Sequence, residues 1–167
     1  MLILLSLLAA QAAPDPLAQA RAGMIRCIEP DTVKKNCRAM IRYKVHDDGS
    51  FDATVTGFLG SDGSTIIVYE TSGAIEGEQV CSTIRPYDVL HGSFYRDGKP
   101  VPERDAGPIQ DQIRIQLQDV AGKKRCYTDQ TVGGRLMSNV TLNGVVQADQ
   151  SQHIAWVSPD DGYALSW

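Results

Sequence analysis

The residues best suited to chemistry in this 167-residue chain stand close together after a cysteine-containing run: Arg85, Tyr87, Asp88 and His91. A cation, a phenol ring, a carboxylate and an imidazole so near one another could line a binding pocket. The plainer reading of the same residues is a capped helical turn in which Arg85 pairs with Asp88, because surface ion pairs form at little cost. The other histidines, His46 and His153, are isolated. No H-x-H or H-E-x-x-H spacing sets two ligands on one face, so no metal site is expected. Gly60-Ser61-Asp62 and Gly92-Ser93-Phe94 lack the G-x-S-x-G elbow that exposes a serine nucleophile. Asp47-Asp48-Gly49 and Asp160-Asp161-Gly162 lack the spaced oxygens of a calcium loop, and Val132-Gly133-Gly134-Arg135 lacks the lysine of a phosphate loop. From these patterns neither a catalytic residue nor a cofactor is expected.

The cysteines carry a firmer message. Cys27, Cys37, Cys81 and Cys126 are an even set with no C-x-x-C, which disfavours zinc and thioredoxin-like chemistry and favours two disulfides. Among the three possible connectivities, Cys27–Cys37 with Cys81–Cys126 is preferred, since the first pair brackets a short loop containing Pro30 and Asn36. The N-terminus fits an oxidising destination. Leu2 to Ala10 is apolar except for Ser6, too short to span a bilayer, and Ala10-Gln11-Ala12 is a small-x-small cleavage site. Residues 1–13 are therefore expected to be a signal peptide, with 14–167 as one disulfide-stapled domain in the periplasm or outside the cell. The usual opening Lys or Arg is missing, so the coding start is expected upstream or the signal is a short one.

Composition narrows the class further. Hydrophobic residues make up 43% and charged residues 22%, which excludes disordered, collagenous and coiled-coil chains. A net charge of −4 offers no footprint for nucleic acid and little attraction to anionic lipid. No membrane span is expected in the mature chain. A partner, if there is one, is expected in the cell envelope.

Pro16 to Arg26 has helical apolar spacing at Leu17, Ala20 and Met24, with Asp15 placed to cap it. Ile41 to Val45 and Phe51 to Val55 alternate with polar residues across Asp48-Gly49, a hairpin signal. Thr65 to Thr71, set off by Asp62-Gly63, and Glu78 to Ile84 extend this to a four-strand antiparallel meander. Pro86 to His91 reads as one helical turn, Ser93 to Arg96 as a short strand and Lys99 to Gly107 as a surface connection. Pro108 to Val120 fits both periodicities. Its glutamines and leading proline favour a helix, with Gly122 and Lys123 to Arg125 as its stop. Further strands follow around Asn143-Gly144 and over Ile154 to Trp156, and Tyr163 to Trp167 is a candidate edge strand. The expected fold is α+β: an antiparallel meander sheet of about six to eight strands with two main helices on one face.

Several of these stretches carry a resemblance. Asp15-Pro16-Leu17-Ala18 and Arg21-Ala22-Gly23-Met24 precede Cys27, Pro30-Asp31-Thr32 precedes Cys37, Ile84-Arg85 follows Cys81, and Trp156-Val157-Ser158-Pro159 leads to Gly162-Tyr163. With these the chain resembles small exported four-cysteine proteins of Gram-negative bacteria that have no assigned function. The resemblance implies export and disulfides and supports the helix over Pro108 to Val120; it implies no reaction. The resulting expectation is a non-catalytic periplasmic or secreted binding or accessory module, with a proteinaceous enzyme inhibitor as its sharper version. The alternative is a small periplasmic hydrolase whose site is assembled from distant Asp and His residues, as a deep pocket around His91 or His153 would indicate.

Overall fold

Leu17 has no exposed surface, and the computed structural model describes residues 14–60 and 63–165. The expected signal segment, Asp62 of the Asp62-Gly63 turn and the last two residues of the C-terminal strand lie outside the described residues. The elements in chain order are α1 (Ala18–Arg21), β1 (Ile25–Ile28), β2 (Asn36–Cys37), β3 (Ala39–Val45), β4 (Ser50–Leu59), β5 (Thr65–Glu76) and β6 (Gln79–Thr83). Then come α2 (Pro86–Leu90), β7 (Ser93–Arg96), β8 (Lys99–Pro100), α3 (Glu103–Leu117), β9 (Lys124–Val132), β10 (Arg135–Leu142), β11 (Val145–Val157) and β12 (Ala164–Leu165).

The open sheet with two helices on one face is not what forms. The fold is a closed barrel of eight antiparallel strands, β1-β3-β4-β5-β6-β9-β10-β11, in which β11 returns to pair with β1 (Ile25 opposite Val157, Ile28 opposite Ile154). Each barrel strand pairs with the next barrel strand in the chain, so the connection is up-and-down throughout, and closure leaves these strands no free edge. Three pairings achieve closure: β1 with β11, β1 with β3 across the first disulfide loop, and β6 with β9 across an insertion of about forty residues. Only the pairs joined by tight turns have a local signature.

Two helical expectations change with it. Pro16 to Arg26 is one helical turn followed by a strand: Leu17 N–H donates to Asp15 Oδ1 at 2.9 Å, and Gly23, at φ +84°, ends the turn. Ile25 to Ile28 can then enter the barrel with Ile25 and Cys27 on one face and Arg26 and Ile28 on the other, a two-sided burial that also satisfies helical spacing. The second helix starts at Glu103, so the expected surface connection over Lys99 to Gly107 is instead β8 and the first turn of α3. Pro108 sits inside α3 and deprives the Arg104 carbonyl of its usual donor, which exposure of Arg104 to water makes tolerable. The C-terminal strand does not close the main sheet either: β12 pairs in parallel with β2 in a small separate sheet.

β5 runs through Gly73, where it faces Phe51 of β4 on one side and Ser82 of β6 on the other. A Cβ there would lie 2.1 Å from the Cys81 carbonyl oxygen and 2.5 Å from Phe51 Cζ, so only glycine permits this approach. Three clusters complete the body. Leu17 and Ala20 plug one end of the barrel against Phe51, Ala53 and Val80, with Tyr43 and Trp156 beside them. Ala106, Ile109 and Ile113 of α3 pack on Ile67 and Phe94, making the α2–α3 insertion a cap at the other end. Outside the barrel, Ile25, Cys27, Cys37 and Val157 gather with Met40 and Tyr163.

Both disulfides have the preferred pairing, Cys27–Cys37 and Cys81–Cys126, the latter joining directly opposed residues of β6 and β9. Among the described residues no helix is long and apolar enough to cross a membrane.

Candidate ligand-binding cavity

An eight-stranded barrel has an interior that side chains can just fill or that can hold one small ligand. Here the interior keeps a cavity of about 500 Å³. Its two walls differ in chemistry. Strands β3 and β4 contribute Ala39, Ile41, Phe51, Ala53 and Val55 beside the Tyr43 phenol, and β6 adds Val80 next to Tyr127. Strands β9 and β11 contribute Arg125, Tyr127, Gln150 and Gln152. At the capped end the lining is Ile84, Val89, Leu117 and Val120, with Arg85 and Asp88 beside them.

The cationic groups around this space are held in two different ways. Arg26, 1% exposed, is matched within the protein: Nη1 and Nη2 donate to the two oxygens of Asp129 at 2.9 and 2.8 Å, and Nη2 also donates to Ser138 Oγ at 2.6 Å. Its guanidinium lies 5.5 Å from the centre of the Tyr127 ring and 5.8 Å from that of Trp156. Burial acts to lower its pKa, but Tyr43 and Asp129 outweigh this, leaving it above the ordinary arginine value. Arg85 is likewise matched, with Nε donating to Asp88 Oδ2 at 2.8 Å and Nη2 donating to Ser72 Oγ at 3.0 Å, while Thr71 Oγ1 donates to the same Asp88 oxygen. Arg125 differs. Its Nη2 donates to the neutral Gln150 Oε1 at 2.8 Å, it lies over Tyr127 at 5.4 Å, and its buried Nε has no hydrogen-bond partner among the described residues.

Two phenols complete the interior. Tyr43 and Tyr69 are both pushed up to about 12, chiefly because removal from bulk water disfavours the phenolate. They remain neutral hydroxyls at any physiological pH, facing the cavity yet shielded from bulk solvent.

The sequence-derived group divides. Arg85 and Asp88 reach the cavity rim and form the expected ion pair, whereas Tyr87 is 69% exposed and stacks on His91 at 3.9 Å outside it. His91 Nδ1 is 2.9 Å from the Tyr87 carbonyl oxygen, and His46 Nε2 is 3.0 Å from Asp52 Oδ2 at the exposed β3–β4 hairpin. Neither histidine lines the cavity, nor does His153. Among the described residues no three metal-ligating side chains converge. Sequence reasoning missed Arg125, Tyr127, Gln150 and Tyr69 as lining residues, and it took Arg125 for part of a helix stop. The usable signal was parity: Cys126, bonded to Cys81 on the outer face, puts Arg125 and Tyr127 together on the inner one.

Compared with protein-family models, curated proteins and solved structures, the chain matches none.

Proposed function

We propose that this chain is an exported, non-catalytic binding protein that carries one small amphipathic molecule inside its barrel. The observation carrying this reading is the cavity of about 500 Å³, apolar on its β3–β4 side and polar on its β9–β11 side. Its size falls within the range of small-molecule sites, which are mostly apolar with a few placed polar groups. Export is supported by the apolar run before Ala13, by the resemblance to exported four-cysteine proteins, and by two disulfides suited to an oxidising compartment. A non-catalytic role fits an interior whose carboxylate, Asp88, is engaged by Arg85 and Thr71 and which, among the described residues, has no imidazole to move protons near neutral pH.

The test uses N-phenyl-1-naphthylamine, an uncharged probe that fluoresces in apolar surroundings. It is expected to saturate at one molecule per chain, with stoichiometry checked by native mass spectrometry. Val55→Trp adds an indole to the apolar wall and is expected to weaken binding by roughly tenfold or more, while circular dichroism reports an intact sheet. Absence of saturable binding, or equal binding by a folded Val55→Trp variant, overturns the reading.

A further inference from the structure

We infer that the molecule held in the barrel is an organic carboxylate with an apolar body, its anionic head on Arg125; this rests on the interior-binding reading above. Among the described residues four charged side chains line the cavity, namely Arg26, Arg85, Asp88 and Arg125. Arg26 is neutralised by Asp129 and Arg85 by Asp88, at 2.8 Å in each case. Arg125 has no carboxylate partner among the described residues, so the cavity retains one positive charge inside a chain whose net charge is −4. An ionised group is costly to surround with protein unless it is paired, and a ligand anion is the complement this site lacks.

The geometry narrows the head group. Nε and Nη2 occupy one edge of a guanidinium, the edge that receives the two oxygens of a carboxylate side by side. In this barrel Gln150 Oε1 occupies Nη2 at 2.8 Å and leaves Nε without a partner. A carboxylate arriving at that edge displaces the Gln150 oxygen from Nη2, and the guanidinium must shift with it before the buried Nε meets the second oxygen. The Gln150 amide can then turn its NH₂ group towards the incoming oxygen, so the same side chain serves both states. The Tyr127 ring lies beside the guanidinium, its centre 5.4 Å away. Across the cavity Ile41, Ala53 and Val55 offer the surface for the apolar body.

Displacement of N-phenyl-1-naphthylamine by decanoate and by 1-decanol, equal in chain length and different in charge, tests this directly. Charge-assisted hydrogen bonds predict that decanoate binds between roughly tenfold and a hundredfold more tightly than decanol. Arg125→Gln is expected to abolish that preference, read as the ratio of the two displacement constants. Gln150→Glu gives Arg125 an internal counter-ion and is expected to abolish the preference without removing the arginine, which keeps the test informative if Arg125→Gln fails to fold. Equal affinity for acid and alcohol in the wild-type chain, with the probe bound, overturns the carboxylate assignment and leaves interior binding standing. Undiminished preference in a folded Arg125→Gln or Gln150→Glu variant also overturns the assignment. Failure of the probe itself to bind overturns both readings.

Discussion

Arg26 and Asp129 are 103 positions apart, yet the fold depends on their meeting. A guanidinium taken out of water loses several kcal/mol of hydration, and what compensates it here is a two-point contact with one carboxylate plus the Ser138 hydroxyl. Asp129→Asn leaves the cation buried without its counter-charge and is expected to cost about 3–5 kcal/mol. The double change Arg26→Met with Asp129→Leu is expected to recover most of that loss, since both charges go together. Urea denaturation at neutral pH measures both. An Asp129→Asn variant within about 1 kcal/mol of wild type would mean that the pair is solvated and the interior wetter than described. None of this pairing was legible beforehand. Arg26 lies in a stretch with helical spacing, and only its place in β1, with Cys27 and Ile25 turned outward, directs it into the barrel.

The strands joined by tight turns could be read from alternation and glycine alone. His46 N–H donates to the Ser50 carbonyl across Asp48-Gly49, and β10 turns into β11 at Asn143-Gly144, where both residues have positive φ. What could not be read is how non-consecutive segments combine, because β6 and β9 have a cap of two helices and two short strands between them. The Cys81–Cys126 bond spans that insertion and holds its two barrel neighbours in register, whereas Cys27–Cys37 closes only a ten-residue separation beside β1. On the loop-closure model the two staples contribute about 4 and about 3 kcal/mol respectively. Replacing Cys81 and Cys126 by alanine is therefore expected to lower the urea midpoint more than replacing Cys27 and Cys37. The reverse order would show that the outer cluster around Cys27, Cys37 and Tyr163 matters more than the tether across the cap.

Closure of the barrel has a consequence that no single strand displays. Tyr43 lies near the α1 plug and Tyr69 beneath the α3 cap, so both phenols are shielded from bulk water only while strands and ends are assembled together. The sequence marks Tyr43 merely as one apolar position of an alternating strand and leaves Tyr69 unremarked, because closure arises from the β1–β11 pairing of distant segments. In the folded chain each of the two phenols ionises at about 12, against about 10 when unfolded. Above pH 10 the unfolded state therefore releases these protons first. It then binds fewer protons than the folded state, and stability falls as pH rises. The contribution is fully present below pH 10 and is lost between pH 10 and 12, on the order of 2–3 kcal/mol for each tyrosine. Thermal melts across that interval, read beside phenolate absorbance, are expected to show a falling melting temperature while Tyr43 and Tyr69 stay largely un-ionised in the folded chain until about pH 12. Tyr69→Phe is expected to remove part of the slope. Ionisation of Tyr43 and Tyr69 near pH 10 in a still-folded chain would mean that bulk water solvates both phenols in the folded barrel.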